Sequence, residues 1–155
     1  LLLLRLHNIL IFIYFSMKLS RTLAFGVMLW ISIFVLYSIL LSLPFLGGRD
    51  VLLHVVFWIL LIPIVIGLTK WYFKAGEPRI SRGLVLGLSS IVIGVLLDVL
   101  ITVPFFLVPQ TQGGTFADGA LLLFGDWKLY IGFVEVILLC LWAGFEFDKT
   151  FSRAK

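Results

Sequence analysis

The chain has 155 residues, of which 62% are hydrophobic and only 13% are charged, and its mean hydropathy is +1.20. Soluble domains contain about 45–50% apolar and about 25% charged residues, and disordered chains combine low hydrophobicity with high charge, so the composition excludes both classes. The formal net charge of +4 would suit a nucleic-acid partner, but the basic residues flank long apolar runs. We therefore interpret them as membrane-topology signals and expect no nucleic acid as a partner.

The first sixteen residues, LLLLRLHNILIFIYFS, precede the first methionine, Met17. They are too few to cross a hydrocarbon core of about 30 Å, and they include Arg5 and His7. They also lack the positive start and the small-residue cleavage site of a signal peptide. We expect residues 1–16 to be translated upstream sequence or an interfacial helix, and residues 17–155 to form a single four-span membrane domain.

Four apolar runs follow, and each is long enough to cross a bilayer, which takes about 20 residues per helix. Backbone groups in lipid must be hydrogen-bonded within their own segment, and the alternating pattern of a membrane barrel is absent from these runs, so they predict helices. The expected fold is an all-α integral membrane protein, a bundle of four transmembrane helices at residues 23–46, 51–73, 83–108 and 127–147.

Lys and Arg residues are unevenly distributed between the two ends of these spans. They concentrate before the first span, between the second and third, and after the fourth, whereas the opposite side has only Arg49 and Lys128. The positive-inside rule then predicts that both termini are cytoplasmic (N-in/C-in). This plan is typical of small prokaryotic proteins, so we expect a multi-pass protein of the inner (plasma) membrane, with the lipid bilayer as its first partner.

Three ionisable residues lie inside the predicted spans: His54, Asp98 and Glu135. A charge at the bilayer centre costs at least about 2.5–3.5 kcal/mol, so such residues usually face the bundle interior. From a rise of about 1.5 Å per residue, Asp98 lies roughly 8 Å, Glu135 roughly 10 Å and His54 roughly 5 Å below the outer edge of the core. This polar layer is supported by three further residues: Tyr37, Ser38 and Thr102.

Small residues recur at three- or four-residue spacing along one face of the third span, which also carries Asp98. Small residues at such spacing let two helices approach closely in lipid. A comparable stripe on the fourth span contains Glu135, so we expect these two spans to be in contact and the two carboxyl groups to be close together. The predicted helix-packing residues are Gly83, Gly87, Ser90, Gly94 and Gly132.

Two nearby carboxyl groups in a low dielectric cannot both ionise without a large cost, so Asp98 and Glu135 are expected to share a proton. Such a pair suits solute or ion transport, in which it exchanges protons for a cation or holds a cationic solute, with His54 in a proton path. The structural alternative is that each residue forms hydrogen bonds that fix the register of the bundle.

Two further functions stay open beside transport. One is a non-catalytic accessory or assembly subunit of a membrane complex, and the other is a membrane enzyme that uses the same acids on a lipid or quinone. We do not expect an enzyme, because no catalytic motif is present in the sequence. Four helices enclose little room for a pore, so we expect transport to require a homo-oligomer or another membrane subunit.

The sequence also limits cofactors and metals. Cys140 is the single cysteine, so no intramolecular disulfide and no redox-active cysteine pair can form. A zinc site needs several Cys or His ligands, and the chain offers only Cys140, His7 and His54. We expect neither a metal nor a cofactor.

Overall fold

The computed structural model describes the backbone of residues 2–46, 48–74 and 78–153 and the side chains of residues 19–46, 48–74 and 78–147. Within these ranges every regular element is a helix, and no strand is present. The elements are α1 (Leu2–Ser42), α2 (Asp50–Phe73), α3 (Ile80–Leu97), a π-helical segment (Asp98–Leu107), a 3-10 turn (Val108–Gln110), α4 (Phe116–Phe124) and α5 (Trp127–Arg153).

Four of these helices are long and apolar enough to cross a membrane, which confirms the predicted fold class. They cover Leu19–Ser42, Asp50–Phe73, Ile80–Gln110 and Trp127–Phe147. The first helix ends four residues before the predicted boundary, because Pro44 disfavours the helical conformation at the residue before it. The expectation for residues 1–16 falls on side chains outside the described ranges and stays a prediction.

The four long helices form a ring in which each contacts two neighbours. α1 packs against α2 and α3, and α5 packs against the same two helices, while the backbones of α1 and α5, and of α2 and α3, do not approach each other in the described ranges. Contacts between Thr22 and Tyr72 at one end, and between Tyr37 and His54 at the other, show that α1 and α2 are antiparallel.

We name the two ends of the bundle after the first and last residues of α2, as the Asp50 end and the Phe73 end.

Glycines bring α3 and α5 together at the Phe73 end. A Cβ atom at Gly83 would overlap the carbonyl oxygen of Cys140, and one at Gly87 would lie 3.1 Å from the Cα of Ile137. Gly144 approaches the start of α3 in the same way, with the carbonyl oxygen of Arg79 2.8 Å from its ideal Cβ position. The predicted contact between the third and fourth spans is therefore present, and backbone lies directly against backbone.

Large apolar side chains cover the outer surface of the bundle. Leu100 is 65% exposed, Val85 61% and Leu138 58%, whereas the inner residues Phe25, Val65 and Cys140 are fully buried. Water would disfavour such a surface and lipid would solvate it, so the structure fits a membrane protein. The side of the membrane on which each end lies stays a prediction from the Lys and Arg distribution.

The α3–α5 contact yields a stability prediction. Gly83→Ala should destabilise the protein by about 1–3 kcal/mol, because the new methyl group meets a backbone carbonyl that cannot move aside. Gly67→Ala is the matched control: no atom lies within 4 Å of its ideal Cβ position, so the substitution should be neutral or stabilise the helix by up to about 1 kcal/mol.

The two variants are compared by thermal unfolding in mild detergent, followed by circular dichroism. Equal melting temperatures for the two variants would show that the backbone contact at Gly83 does not govern the assembly of α3 on α5.

Candidate functional site

A cavity of about 580 Å³ lies between the four long helices, in the half of the bundle nearer the Asp50 end. We call it the central cavity. Its walls come from all four long helices, from the π-helical segment and from α4, and its lining is mainly apolar and aromatic. Towards the Phe73 end it is closed by tightly packed residues, including Leu61 and Leu86, each 1% exposed.

Asp98 lines this cavity and begins the π-helical segment. Its Oδ1 atom accepts a hydrogen bond of 2.8 Å from Trp30 Nε1 on α1 and one of 2.6 Å from Thr102 Oγ1 on its own segment. Its Oδ2 atom has no hydrogen-bond partner among the described residues. This atom is not fully buried, so part of its surface is accessible. One carboxylate oxygen is therefore held in place by two neutral donors, and the other is free to meet a ligand.

The π-helical segment explains how its polar residues reach one wall. Pro104 lies within the segment and has no N–H group, so it cannot donate the usual helical bond to the carbonyl oxygen four residues earlier. The chain instead forms wider turns, and the N–H group of Val108 donates to the carbonyl oxygen of Val103, five residues earlier. Asp98, Thr102 and Phe106 follow one another at intervals of four positions along this segment, and all three line the cavity.

A row of aromatic side chains continues along the cavity wall from the indole that is bonded to Asp98. The rings of Trp30 and Phe34 stack with centroids 5.5 Å apart, and Phe34 meets Phe106 edge to face at 4.9 Å. Trp30 thus has two roles, because its ring forms part of the aromatic wall and its N–H group holds Asp98. Trp30 could not be identified from the sequence, because spacing along a helix does not reveal a hydrogen bond to a residue 68 positions away.

His54 lines the cavity at the Asp50 end and is 8% exposed. Its Nδ1 atom lies 2.8 Å from the backbone carbonyl oxygen of Asp50 and 3.2 Å from the Asp50 carboxylate. A carbonyl oxygen can only accept, so Nδ1 carries the proton, and in the neutral ring Nε2 is an acceptor. Tyr37 lies beside it, with ring centroids 5.6 Å apart, and its hydroxyl group has no hydrogen-bond partner in the described part of the chain.

An ion cluster lies where the cavity reaches the Asp50 end. Lys128 Nζ contacts the carboxylates of Asp50 and, at 3.1 Å, Asp126. We call Asp50, Asp126 and Lys128 the mouth cluster, because Asp126 and Lys128 line the cavity while the side chain of Asp50 is 63% exposed. Sequence analysis treated Lys128 only as a topology signal. The sequence did contain one indication of the ion pair: Asp50 and Lys128 lie at the predicted starts of the second and fourth spans, which are on the same side of the membrane.

Glu135 has a different environment from Asp98. It is not among the residues that line the cavity, and no hydrogen bond or ion pair between described residues joins it to Asp98. Its Oε2 atom is fully buried and has no hydrogen-bond partner among the described side chains and backbone. The next residue, Val136, does line the cavity, because consecutive residues of a helix point about 100° apart. Of the stripe predicted on the fourth span, Gly132 therefore lines the cavity and Glu135 does not.

The remaining predicted residues fall into two groups. Ser38, Ser90, Gly94 and Gly132 line the cavity. Ideal Cβ atoms at Gly94 and Gly132 would meet nothing within 4 Å, so these two glycines leave space open. Gly83 and Gly87 instead form the α3–α5 contact described above. The face of small residues on α3 therefore permits close helix packing at the Phe73 end, through Gly83 and Gly87, and leaves space for the cavity nearer the Asp50 end, at Gly94.

Metal binding finds no support among the described residues, which contain no group of three or more His, Cys, Asp and Glu side chains placed to hold an ion. The cavity offers instead one free carboxylate oxygen, one free imidazole nitrogen and an aromatic wall. This combination can bind a small organic molecule that carries a hydrogen-bond donor or a positive charge.

The bond between Trp30 and Asp98 can be measured with a double-mutant cycle. Trp30→Phe keeps an aromatic ring against Phe34 but removes the donor, and we expect it to destabilise the protein by about 1–2 kcal/mol. In an Asp98→Ala background the same change should cost much less, because the acceptor is already gone. The measurement is unfolding in mixed micelles with increasing denaturing detergent.

Trp58 is the matched control for this cycle, because it lines the same cavity and its indole nitrogen donates no hydrogen bond within the described ranges. Trp58→Phe should show no coupling to Asp98→Ala. A coupling energy as large for Trp58 as for Trp30 would contradict the assigned bond.

Comparison of the chain with protein-family models, with curated proteins and with solved structures finds no match.

Proposed function

We propose that this membrane protein is a small solute carrier that binds its cargo in the central cavity, with Asp98 as the binding carboxylate. The observation that carries the proposal is the free Oδ2 atom of Asp98 on the wall of a 580 Å³ cavity between four apolar helices. Pockets for small ligands have volumes of about 300–1,000 Å³ and combine apolar walls with a few polar groups that fix orientation.

The two ends of the cavity support a carrier more than an open channel. At the Phe73 end Phe25, Val65 and Leu86 are buried and do not line the cavity, whereas at the Asp50 end two carboxylates of the mouth cluster are accessible to water. A cavity closed at one end fits one state of an alternating-access cycle, in which the closed end opens after the cargo binds. We expect the plasma membrane as the location, with the Asp50 end outside.

Uptake into proteoliposomes tests the proposal. The probes are radiolabelled solutes that do not cross lipid: trimethyl(3-phenylpropyl)ammonium, mannitol and benzenesulfonate. The native protein should take up at least one probe with saturable kinetics, and Asp98→Asn should lower that uptake about tenfold or more, because the amide removes the charge while keeping the shape. Glu135→Gln should retain the uptake, since Glu135 does not line the cavity.

Other outcomes would favour the alternatives. Loss of uptake in both variants, each still folded, would support a shared role for the two carboxyl groups. No saturable uptake of any probe by folded native protein would contradict the carrier. A partner that copurifies in that case would favour an accessory or assembly subunit. Mass measurement of the protein in detergent tests separately whether it forms a homo-oligomer.

A further inference from the structure

Asp98 is the charged group of the central cavity that has no ionic partner. Lys128 contacts the carboxylates of Asp50 and Asp126, and His54 contacts Asp50 as well. Asp98 by contrast accepts hydrogen bonds only from neutral groups, the indole of Trp30 and the hydroxyl of Thr102. A ligand that brings a positive charge would supply the ion pair that the described residues do not.

The charges around the cavity favour a cation throughout the path to Asp98. The mouth cluster contains two carboxylates and one ammonium group, and Asp98 adds a third carboxylate deeper in the cavity. These three carboxylates outnumber the single ammonium group of Lys128, and the excess of negative charge concentrates cations at the opening and repels anions.

The walls of the cavity favour an organic cation over a metal ion. Hard cations such as Ca²⁺ take six to eight oxygen ligands and Mg²⁺ takes about six, but the described residues contain no group of three or more His, Cys, Asp and Glu side chains placed to hold an ion. The two groups bonded to Asp98 are a hydroxyl and an indole N–H, and the indole N–H is a donor that cannot coordinate a metal. The cavity wall instead carries three aromatic rings in sequence: Trp30, which is bonded to Asp98, then Phe34 and Phe106. Aromatic faces attract ammonium groups and also bury apolar surface.

We infer that the central cavity takes an amphipathic organic cation, an amine or quaternary ammonium group attached to an apolar body. The ammonium group pairs with Asp98 Oδ2, and the apolar body lies against the aromatic walls. This inference rests on the proposed carrier function and names its substrate class. The space left open by Gly94 and Gly132 accommodates the body of the ligand.

Equilibrium binding in mild detergent, by isothermal titration calorimetry, tests the substrate class with four probes. 4-Phenylbutylammonium combines charge and apolar body, 4-phenylbutanol removes the charge, 4-phenylbutanoate reverses it, and tetramethylammonium removes the body. The first probe should bind at least about tenfold more tightly than each of the others. If 4-phenylbutanol or 4-phenylbutanoate binds as tightly as 4-phenylbutylammonium, the inference that the cavity selects an organic cation is overturned.

The variant Asp98→Asn tests whether Asp98 is the residue that binds the ammonium group of the probe. It should reduce the affinity for 4-phenylbutylammonium about tenfold, to the level of the alcohol, and leave the affinity for the alcohol unchanged. The alcohol thereby serves as a folding control within the same variant. An unchanged affinity of this variant for the ammonium probe would show that Asp98 is not its partner.

A second pair of variants tests whether the probes bind in the central cavity, and neither variant alters a charge. Gly132→Leu places a side chain in the cavity, and it should weaken binding of both the ammonium probe and the alcohol about tenfold or more. Gly67→Leu places the same side chain on the exposed face of α2 and should leave both affinities unchanged. Unchanged binding in Gly132→Leu would show that the probes bind elsewhere.

The binding and uptake assays separate the two proposals. Charge-selective binding without uptake of the quaternary probe would support the ligand class and overturn the carrier. Saturable uptake of mannitol or benzenesulfonate, without preference for the ammonium probe in binding, would support the carrier and overturn the ligand class.

Discussion

The contact between α3 and α5 is the constraint on which the rest of the structure depends. In lipid, helices gain no hydrophobic driving force by associating, so the size of the side chains at each interface decides how closely two backbones can approach. Gly83 and Gly87 permit direct backbone contact with α5 at the Phe73 end. The same face of α3 continues to Gly94, where no neighbour fills the space. Tight contact at one end thus coexists with a cavity at the other.

The cavity in turn determines what Asp98 can do. A carboxylate inside an apolar bundle has to be stabilised by hydrogen bonds, and two neutral donors supply them from α1 and from the π-helical segment. Pro104 lies within this segment and lacks the N–H group of an ordinary helical rung, and Thr102, four residues after Asp98, lies on the same side of the chain and bonds to it. The π-helical backbone and the hydrogen-bonded carboxyl group of Asp98 therefore lie in the same segment.

Much of the fold could be predicted from the sequence, because long apolar runs leave few structures that satisfy the backbone in lipid. The boundaries were less accurate: the first helix ends at Ser42, before Pro44, and not at residue 46. The face of small residues on α3 was also predicted from its spacing. Spacing identifies a face but not the distance to its neighbour, so it could not separate the contact at Gly83 from the open space at Gly94.

The candidate site was harder to predict than the fold. His54, Asp98 and Thr102 line one cavity, whereas Glu135 does not. Estimates of depth use only the rise along each helix, and they contain no information about rotation around its axis. The hydrogen bond from Trp30 and the mouth cluster both join residues far apart in the sequence. Such contacts depend on how helices are arranged, which a pattern within one helix does not specify.

The remaining question is why position 98 carries a charge. Hydrogen bonds between membrane helices contribute about 0.6–2 kcal/mol each, and a charged residue in the core costs at least about 2.5–3.5 kcal/mol, so the bonds from Trp30 and Thr102 roughly offset the cost. An asparagine could accept the same two hydrogen bonds through its carbonyl oxygen without that cost. The register of the bundle therefore does not require a carboxylate. What the carboxylate adds is negative charge and a second acceptor at Oδ2, and both are directed at whatever enters the cavity.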